Sequence, residues 1–231
     1  MNAQEYIAEE ESLMRSTALE RAKFIRKTYA HLALAILAFA AAEAMLMSSK
    51  GAVDFARQMS EYWLVALAIF MGLSALANSW AASATSKGIQ YAGLALYVVI
   101  EAVIFLPLML VAESVAPEAI TQAAVLTLAL VAGLTCTVFM TQADFSFLRS
   151  GIVIFSWLAL GLIVCAVLFN FNLGLWFSLA MLVLAGAAIL YQTSAVFREY
   201  EIDQYVAAAL GLFAWIALMY YYILRIFIRR N

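Results

Sequence analysis

The chain has 231 residues, of which 67% are hydrophobic and only 12% are charged, with a formal net charge of −2 and a mean hydropathy of +0.95. A chain of this length cannot bury so much apolar surface in one aqueous core, which excludes a soluble globular protein. Two prolines, ten glycines and continuous rather than alternating apolar blocks argue against a β-barrel. We therefore predict an all-α, polytopic membrane protein.

The first 24 residues are polar. They contain the acidic run Glu9–Glu11, followed by the start of a basic cluster, and they lack the early apolar segment and cleavage site of a signal peptide. We expect this segment to stay on the mature chain as a solvated, partly disordered arm. The predicted organisation is an N-terminal tail, residues 1–24, and one transmembrane domain, residues 25–231.

The remaining sequence contains seven apolar segments that are long enough to cross a bilayer, which takes roughly 20 helical residues. They span about 25–48, 63–82, 88–112, 118–140, 150–170, 173–197 and 205–228. The shortest break is FNFNLG, Phe169–Gly174, where two asparagines and a glycine predict a tight turn between the fifth and sixth spans. We therefore predict a bundle of seven transmembrane helices.

Lysine and arginine residues predict the orientation, because basic residues near helix ends resist translocation. The N-terminus is therefore predicted to be cytoplasmic, since a basic cluster precedes or enters the first span: Arg15, Arg21, Lys23, Arg26 and Lys27. Seven spans then place Arg225, Arg229 and Arg230 on the opposite side, against the rule. Either the last helix is short or re-entrant, or the N-terminal signal dominates, and we favour the second interpretation.

Several catalytic chemistries do not fit the residues available. A retinal protein needs a lysine within its last helix, and the last span has none. An intramembrane serine protease needs a histidine after its serine, whereas the one histidine, His31, comes early. An intramembrane aspartyl protease needs aspartates at membrane depth, but all three lie in predicted loops: Asp54, Asp144 and Asp203. One histidine and two distant cysteines do not predict a metal site. We expect no catalytic residue, metal or cofactor.

Ionisable groups at bilayer depth are costly unless paired or hydrated, so they are candidate functional residues. Glu101 lies near the centre of the third span, and Pro107 follows six residues later. The proline ring removes a backbone hydrogen bond, which kinks the helix or opens it toward water. Glu101 is either a packing residue or an ion- or proton-responsive one, and we expect it to be protonated or to face a cavity.

His31 and Glu43 lie toward the ends of the first span, where hydration favours a structural role. Tyr220–Tyr222 is interpreted as an interfacial belt.

Four segments together resemble the Bax inhibitor-1 family, and its bacterial YccA-like branch in particular. They are FIRKTYAHLALAILAFAA, TLALVAGLTCTVFMTQADFSFLRSG, AILYQTSAV and AALGLFAWIALMYYYILRIF. The most specific piece is Thr141–Leu148, in which Asp144 and Ser146 match the family's Thr-x-x-Asp-x-Ser-x-Leu loop. The resemblance implies a seven-helix fold in a bacterial inner membrane. It also implies two activities, a pH-sensitive calcium leak and the modulation of an FtsH-like membrane AAA protease.

The calcium-leaking members of the family carry two aspartates that latch the pore. The corresponding positions here are Gln192 and Trp215, which do not titrate, although Tyr191, Thr193 and Ser194 retain the rest of the sixth-helix motif. The resemblance therefore supports the fold but not the acid-pair latch. We expect Gln192 to hydrogen-bond within the bundle, as a neutral substitute for an acidic side chain.

Two functions are consistent with these residues and with the resemblance. The first is a regulatory protein that binds a membrane AAA protease through its helices and its cytoplasmic tail. The second is a leak for Ca²⁺ or H⁺ that passes Glu101 and Gln192. The missing aspartates favour the first function, and we expect any calcium flux to be weak and without a steep acid response. The other expected contact is with the lipid bilayer, and we expect none with nucleic acid.

Overall fold

The protein is entirely helical in a computed structural model that describes the backbone of residues 3–83 and 86–230 and the side chains of residues 17–83 and 86–229. Eight helices are described: α1 Ala3–Ser48, α2 Lys50–Glu61, α3 Trp63–Ala81, α4 Lys87–Val115, α5 Pro117–Thr141, α6 Leu148–Leu168, α7 Gly174–Arg198 and α8 Tyr205–Arg230. All except α2 are long and apolar enough to cross a membrane, and these seven match the predicted spans. The predicted polytopic helical bundle is confirmed.

Helix α2 is the element that the sequence interpretation missed, since it assigned residues 49–62 to a loop. The side chain of Ser49 caps the helix by accepting a hydrogen bond from the Ala52 amide at 3.5 Å. Ala56 and Met59 are buried, whereas Asp54 lies on the exposed face. The helix is too short and too polar to span a bilayer, so the placement of Asp54 in a loop is wrong, while its position outside the spans is correct.

The last helix is the centre of the bundle, because α8 packs against α1, α3, α4, α5 and α7. Its buried residues extend from Tyr205 near the start to Leu224, and they include the small residues Ala208, Ala209 and Ala217, which permit close helix packing. This position also corrects the interpretation of Tyr220–Tyr222 as an interfacial belt. The three rings point into the bundle, because a helix surrounded by others has little surface to present to lipid.

Helices α3 and α4 approach closely at Gly93. A Cβ atom at this position would lie 2.5 Å from the Ala81 backbone nitrogen and 2.6 Å from the Ala77 carbonyl oxygen. Because both neighbours are backbone atoms, only glycine fits without moving one helix away from the other. This contact fixes α3, which is otherwise little buried, against the face of α4.

The turn between α6 and α7 is confirmed as the sequence predicted it. Asn170 has a φ of 53° and Gly174 a φ of 72°, both in the left-handed region that asparagine and glycine tolerate best. The Phe171 amide donates to the Ala166 carbonyl at 3.1 Å and closes the turn. Five residues therefore reverse the chain between two antiparallel spans.

The N-terminal segment differs from the expected partly disordered arm. Helix α1 begins at Ala3 and continues without a break into the first span, so residues 3–24 are helical. Arg21 anchors this part of the helix: it donates to the Phe197 carbonyl at 3.1 Å and to the Tyr200 carbonyl at 2.6 Å. The face of the bundle that bears the N-terminus also holds the α3–α4, α5–α6 and α7–α8 loops, and we call it the N-terminal side.

Candidate functional site

Glu101 lies inside the bundle, as the sequence predicted. Its side chain on α4 is 5% exposed, the Tyr97 hydroxyl one turn earlier lies beside it, and Oε2 has no hydrogen-bond partner. The carboxyl group lines a groove of about 540 Å³ between α3, α4, α6 and α8. Arg225 of α8 and Asn170 of the α6–α7 turn line the same groove, which places its polar end on the side opposite the N-terminal side.

Glu43 is a second buried acid, and the expectation of a hydrated position near the end of α1 is wrong. The residue is 2% exposed, and neither carboxylate oxygen has a hydrogen-bond partner. Its carboxyl group interacts electrostatically with that of Glu101 across the α1–α4 interface. We call Glu43 and Glu101 the carboxyl pair.

A signal for the burial of Glu43 was present in the spacing of α1. The buried residues Leu32, Ala35 and Phe39 follow one another at intervals of three and four, and Glu43 comes four residues later. Residues at these intervals share one face of a helix. Glu43 therefore continues the stripe that packs against α4 and α8. Helical spacing predicts the burial of Glu43 better than its distance from the end of α1 does.

The carboxyl pair has no basic partner among the described residues. The ion pairs seen there, Arg57 with Asp54 and Lys87 with Asp203, are at exposed positions outside the core. Two carboxylates that interact at low dielectric cannot both stay ionised without a counter-ion, so the pair can hold protons or a cation. This is the arrangement in the bundle with the clearest capacity for ion chemistry.

Gln192 is buried on α7, as expected for an amide that replaces an acid. Its Nε2 donates to the Tyr200 hydroxyl in the α7–α8 connection, so the partner is a loop residue rather than a neighbouring helix. The residue opposite on α8 is Gly211, where an added Cβ would lie 2.3 Å from Nε2. Trp215 is one turn further along α8 and packs against the cluster of α6, α7 and α8 residues that includes Ala188. The structure therefore does not place Trp215 directly opposite Gln192.

The neighbours of Gln192 in the sixth-span motif have separate roles. The Ser194 hydroxyl accepts from the Phe145 amide at 3.2 Å and lies 3.3 Å from the Ala143 carbonyl, to which it donates. The Tyr191 hydroxyl donates to Glu199 Oε2 at 3.1 Å. Thr193 is fully buried and its hydroxyl has no hydrogen-bond partner. Ser194 and Tyr191 thus stabilise the end of α7 and its connections.

The α5–α6 loop, which contains the most specific family motif, is held by its own aspartate. Asp144 Oδ1 accepts from the Ser146 amide at 2.8 Å, and Arg198 donates to the Gln142 carbonyl. The hydrogen bonds from the Ser146 backbone and side chain lower the pKa of Asp144 below its ordinary value of 3.8, with a smaller contribution from the charge of Arg198. Asp144 and Ser146 therefore have structural roles on the N-terminal side.

Pro107 does not interrupt α4, which continues as a helix to Val115. Because proline has no amide hydrogen, the Val103 carbonyl four residues earlier loses its helical partner. Val103 lines a second groove, of about 610 Å³, between α2, α3 and α4.

His31 is structural, since its Nδ1 lies 2.7 Å from the Lys27 carbonyl and its ring contacts two tyrosine rings.

Comparison with known families agrees with this architecture. The family model described as "Inhibitor of apoptosis-promoting Bax1" matches residues 21–231, which include α1 from Arg21 onward and the other six spans in full. No curated protein matches the sequence significantly. The family match covers nine tenths of the chain and includes the motif loop at Asp144, the sixth-span motif at Gln192 and the central last helix. The chain is therefore a multi-pass membrane protein that belongs to the Bax inhibitor-1 family.

Proposed function

We propose that this protein provides a proton-sensitive route for cations across the membrane, with the carboxyl pair at its centre. The observation that carries the proposal is the burial of two carboxyl groups on the packed helices α1 and α4, without a basic partner among the described residues. Such a pair can share a proton or bind a cation, but two charged and empty carboxylates cost several kcal/mol at membrane depth. Proton binding therefore competes with cation binding at the pair.

The groove beside Glu101 is the entrance to this route on the side opposite the N-terminus. Glu101 is faced by Glu43 from α1 and by Tyr97 from its own helix, and Ser74 of α3 lies beside the Tyr97 hydroxyl. Arg225 of α8 lines the groove as well. Its positive charge repels cations at the entrance, so the flux is expected to be small even when the carboxyl pair is free of protons.

Aromatic side chains from α1, α4 and α8 close the route around the carboxyl pair. The ring centroid of Phe39, one turn before Glu43, lies 5.1 Å from that of Phe105 and 5.9 Å from that of Phe213. Tyr97, one turn before Glu101, completes the cluster with a centroid distance of 6.1 Å to Phe213. Ions can pass only if the rings of this cluster move. A change in the charge of the carboxyl pair is expected to drive that movement.

Flux measurements in liposomes test the proposal. The wild-type protein is expected to show a small calcium flux that changes between neutral and acidic pH. Glu101→Gln and Glu43→Gln should each remove most of this change, because an amide neither titrates nor binds a cation as a carboxylate does. Glu113→Gln is the matched control, since Glu113 is an exposed acid on the same helix as Glu101. A flux whose pH dependence survives in both pair variants contradicts the proposal.

The double variant Gln192→Asp with Trp215→Asp tests whether the family's aspartate positions act separately. The two positions are one turn out of register in this structure, because Gly211 is the residue opposite Gln192. We therefore expect a smaller gain in acid response than from Gln192→Asp combined with Gly211→Asp. An equal gain would contradict the assignment of Gly211 as the opposing position.

The helical N-terminus favours a second candidate function, the modulation of an FtsH-like AAA protease in a bacterial inner membrane. Residues 3–24 extend α1 before the apolar segment that begins at about residue 25, over about 33 Å at 1.5 Å per residue. Arg21 ties the base of this extension to the α7–α8 connection. A projecting helix on the cytoplasmic side is a segment that such a protease can engage.

Deleting Met1–Glu20 tests this second function, because the deletion leaves Arg21 and the span in place. The truncated protein should fold and should have a longer lifetime in cells that contain the protease. Substituting Arg21 in the full-length chain is the control for a loosened α1, since it keeps the extension but removes its anchor. An unchanged lifetime after the deletion would contradict the protease-binding role.

A further inference from the structure

We infer that a crevice between α1 and α5 binds a lipophilic ammonium compound through Glu43. The crevice has a volume of about 400 Å³ and is closed at the back by α4 and α8. It is a different cavity from the groove that holds Glu101, and Glu43 lines only the crevice of these two. Binding of such a compound does not depend on whether ions cross the protein.

The walls of the crevice are suited to a hydrocarbon body. They consist mainly of aliphatic, aromatic and thioether side chains from all four helices: Ile36, Phe39, Met109, Ile120, Phe213 and Ile216. Contact with such side chains stabilises an apolar ligand in proportion to the area removed from water. A cavity of this volume lies within the range of small-molecule sites in proteins.

The polar group of the ligand follows from the charge of the lining. Glu43 is the one carboxyl group in the lining. Its side chain is only 2% exposed, and neither of its oxygens has a hydrogen-bond partner. The lining contains no lysine, arginine or histidine. A ligand with an ammonium group therefore supplies the missing hydrogen bonds and the missing countercharge, whereas an anionic ligand would face the Glu43 carboxyl group without any positive charge in the lining.

The crevice opens toward the bilayer rather than toward water. Its outer rim is formed by exposed residues at the level of the spans: Ala40 and Ala44 of α1, and Thr121 and Leu128 of α5. The small side chains of Ala40 and Ala44 leave the space between the helices open. A compound that reaches this entrance must first partition into the membrane, which is why the expected ligand is lipophilic.

Three adamantane compounds with the same hydrocarbon cage test the proposal. The probes are 1-aminoadamantane, which is cationic at neutral pH, the neutral 1-adamantanol and the anionic 1-adamantanecarboxylate. Thermal unfolding of the purified full-length protein in a nonionic detergent is followed as each probe is added. The amine is expected to raise the melting temperature most, the alcohol less, and the carboxylate not at all, because only ligands that bind the native state stabilise it.

Two variants locate the effect. Glu43→Gln should weaken amine binding by at least about tenfold, since a buried charge pair loses one partner, and the amine should then bind no better than the alcohol. Ala40→Phe fills the rim without changing Glu43, so it should abolish the response to all three probes. Glu113→Gln should respond like the wild type.

Equal shifts with all three probes would overturn the assignment of the ligand class. An amine preference that persists in Glu43→Gln would overturn the assignment of the carboxyl group. If Glu43→Gln does not fold, Ala40→Phe decides the question, because a full amine response in that variant means that the compound binds outside the crevice. Loss of ion flux in Glu43→Gln alone bears on the proposed cation route and leaves this binding site unaffected.

Discussion

Replacing Gly211 with alanine tests the contact that joins α7 and α8 at the buried amide. A Cβ atom at residue 211 would lie 2.3 Å from Gln192 Nε2, 2.9 Å from Gln192 Cδ and 3.3 Å from the Tyr200 hydroxyl oxygen. The first two distances are too short for non-bonded atoms. Gln192 must therefore move in Gly211→Ala, and its hydrogen bond to Tyr200 breaks.

The expected loss of stability follows from three contributions. Overpacking a well-filled interior costs about 1–3 kcal/mol. Loss of the buried hydrogen bond adds about 1 kcal/mol. Alanine recovers about 1 kcal/mol over glycine inside a helix. The free energy of unfolding of Gly211→Ala should therefore fall by about 1–3 kcal/mol.

Equilibrium unfolding in mixed micelles with increasing dodecyl sulfate measures this free energy. Gly186→Ala is the matched control, because the nearest atoms to its added Cβ, from Leu134 and Met219, are both at 3.8 Å. That variant should be as stable as the wild type or more stable by up to about 1 kcal/mol. The comparison separates a steric effect at residue 211 from the general effect of replacing a helical glycine.

Truncation of the opposing side chain completes the test. In the Gly211→Ala background, Gln192→Ala removes the atoms that the new methyl group meets, so the double variant should recover about 1–2 kcal/mol relative to the sum of the two single changes. A steric clash at residue 211 is refuted if Gly211→Ala is as stable as Gly186→Ala, or if the effects of Gly211→Ala and Gln192→Ala are additive.

Three further outcomes are expected. Asp144→Ala should be less stable than the wild type at neutral pH, because the hydrogen bonds from Ser146 stabilise the charged carboxylate and lower the pKa of Asp144 below 3.8. The difference in stability should vanish as the pH falls through that lowered pKa. Thermal unfolding at neutral pH and at a pH below that pKa measures it. Ser194→Ala removes a buried hydroxyl that hydrogen-bonds to the α5–α6 loop, so the free energy of unfolding should fall by about 1–2 kcal/mol. Hydrogen exchange should also become faster in that loop. Gly93→Ala should destabilise the protein more than Gly211→Ala does, because its Cβ meets the Ala77 carbonyl and a backbone amide rather than a movable side chain.

Much of the architecture could be predicted from the sequence because hydrocarbon imposes one requirement on every span. Each backbone polar group must be satisfied within the helix, so a long apolar segment has few alternatives. The seven spans, the tight turn at Asn170 and the interior position of Glu101 follow from this requirement and from local residue preferences. The charged N-terminus was harder, because composition does not distinguish a disordered polar segment from an extension of α1.

The candidate site could be predicted only in part, as its two acids show. Glu101 is far from both ends of α4, so any packing of the bundle places it at membrane depth. Glu43 lies five residues before the end of α1, where an apolar sequence alone permits either a hydrated or a buried position. Packing of the stripe through Phe39 against α4 and α8 decided between them.

The identity of facing residues was decided by the tertiary structure alone. Helical periodicity predicts which residues share a face, but not which neighbour that face meets, nor at what height two helices are in register. The sequence by itself determined that a bundle of seven spans forms and that an amide occupies residue 192. Only the packing around α8 decided that Gly211 rather than Trp215 lies opposite this amide, that the tyrosines of α8 turn inward, and that Glu43 is buried, because each depends on contacts between segments distant in the chain.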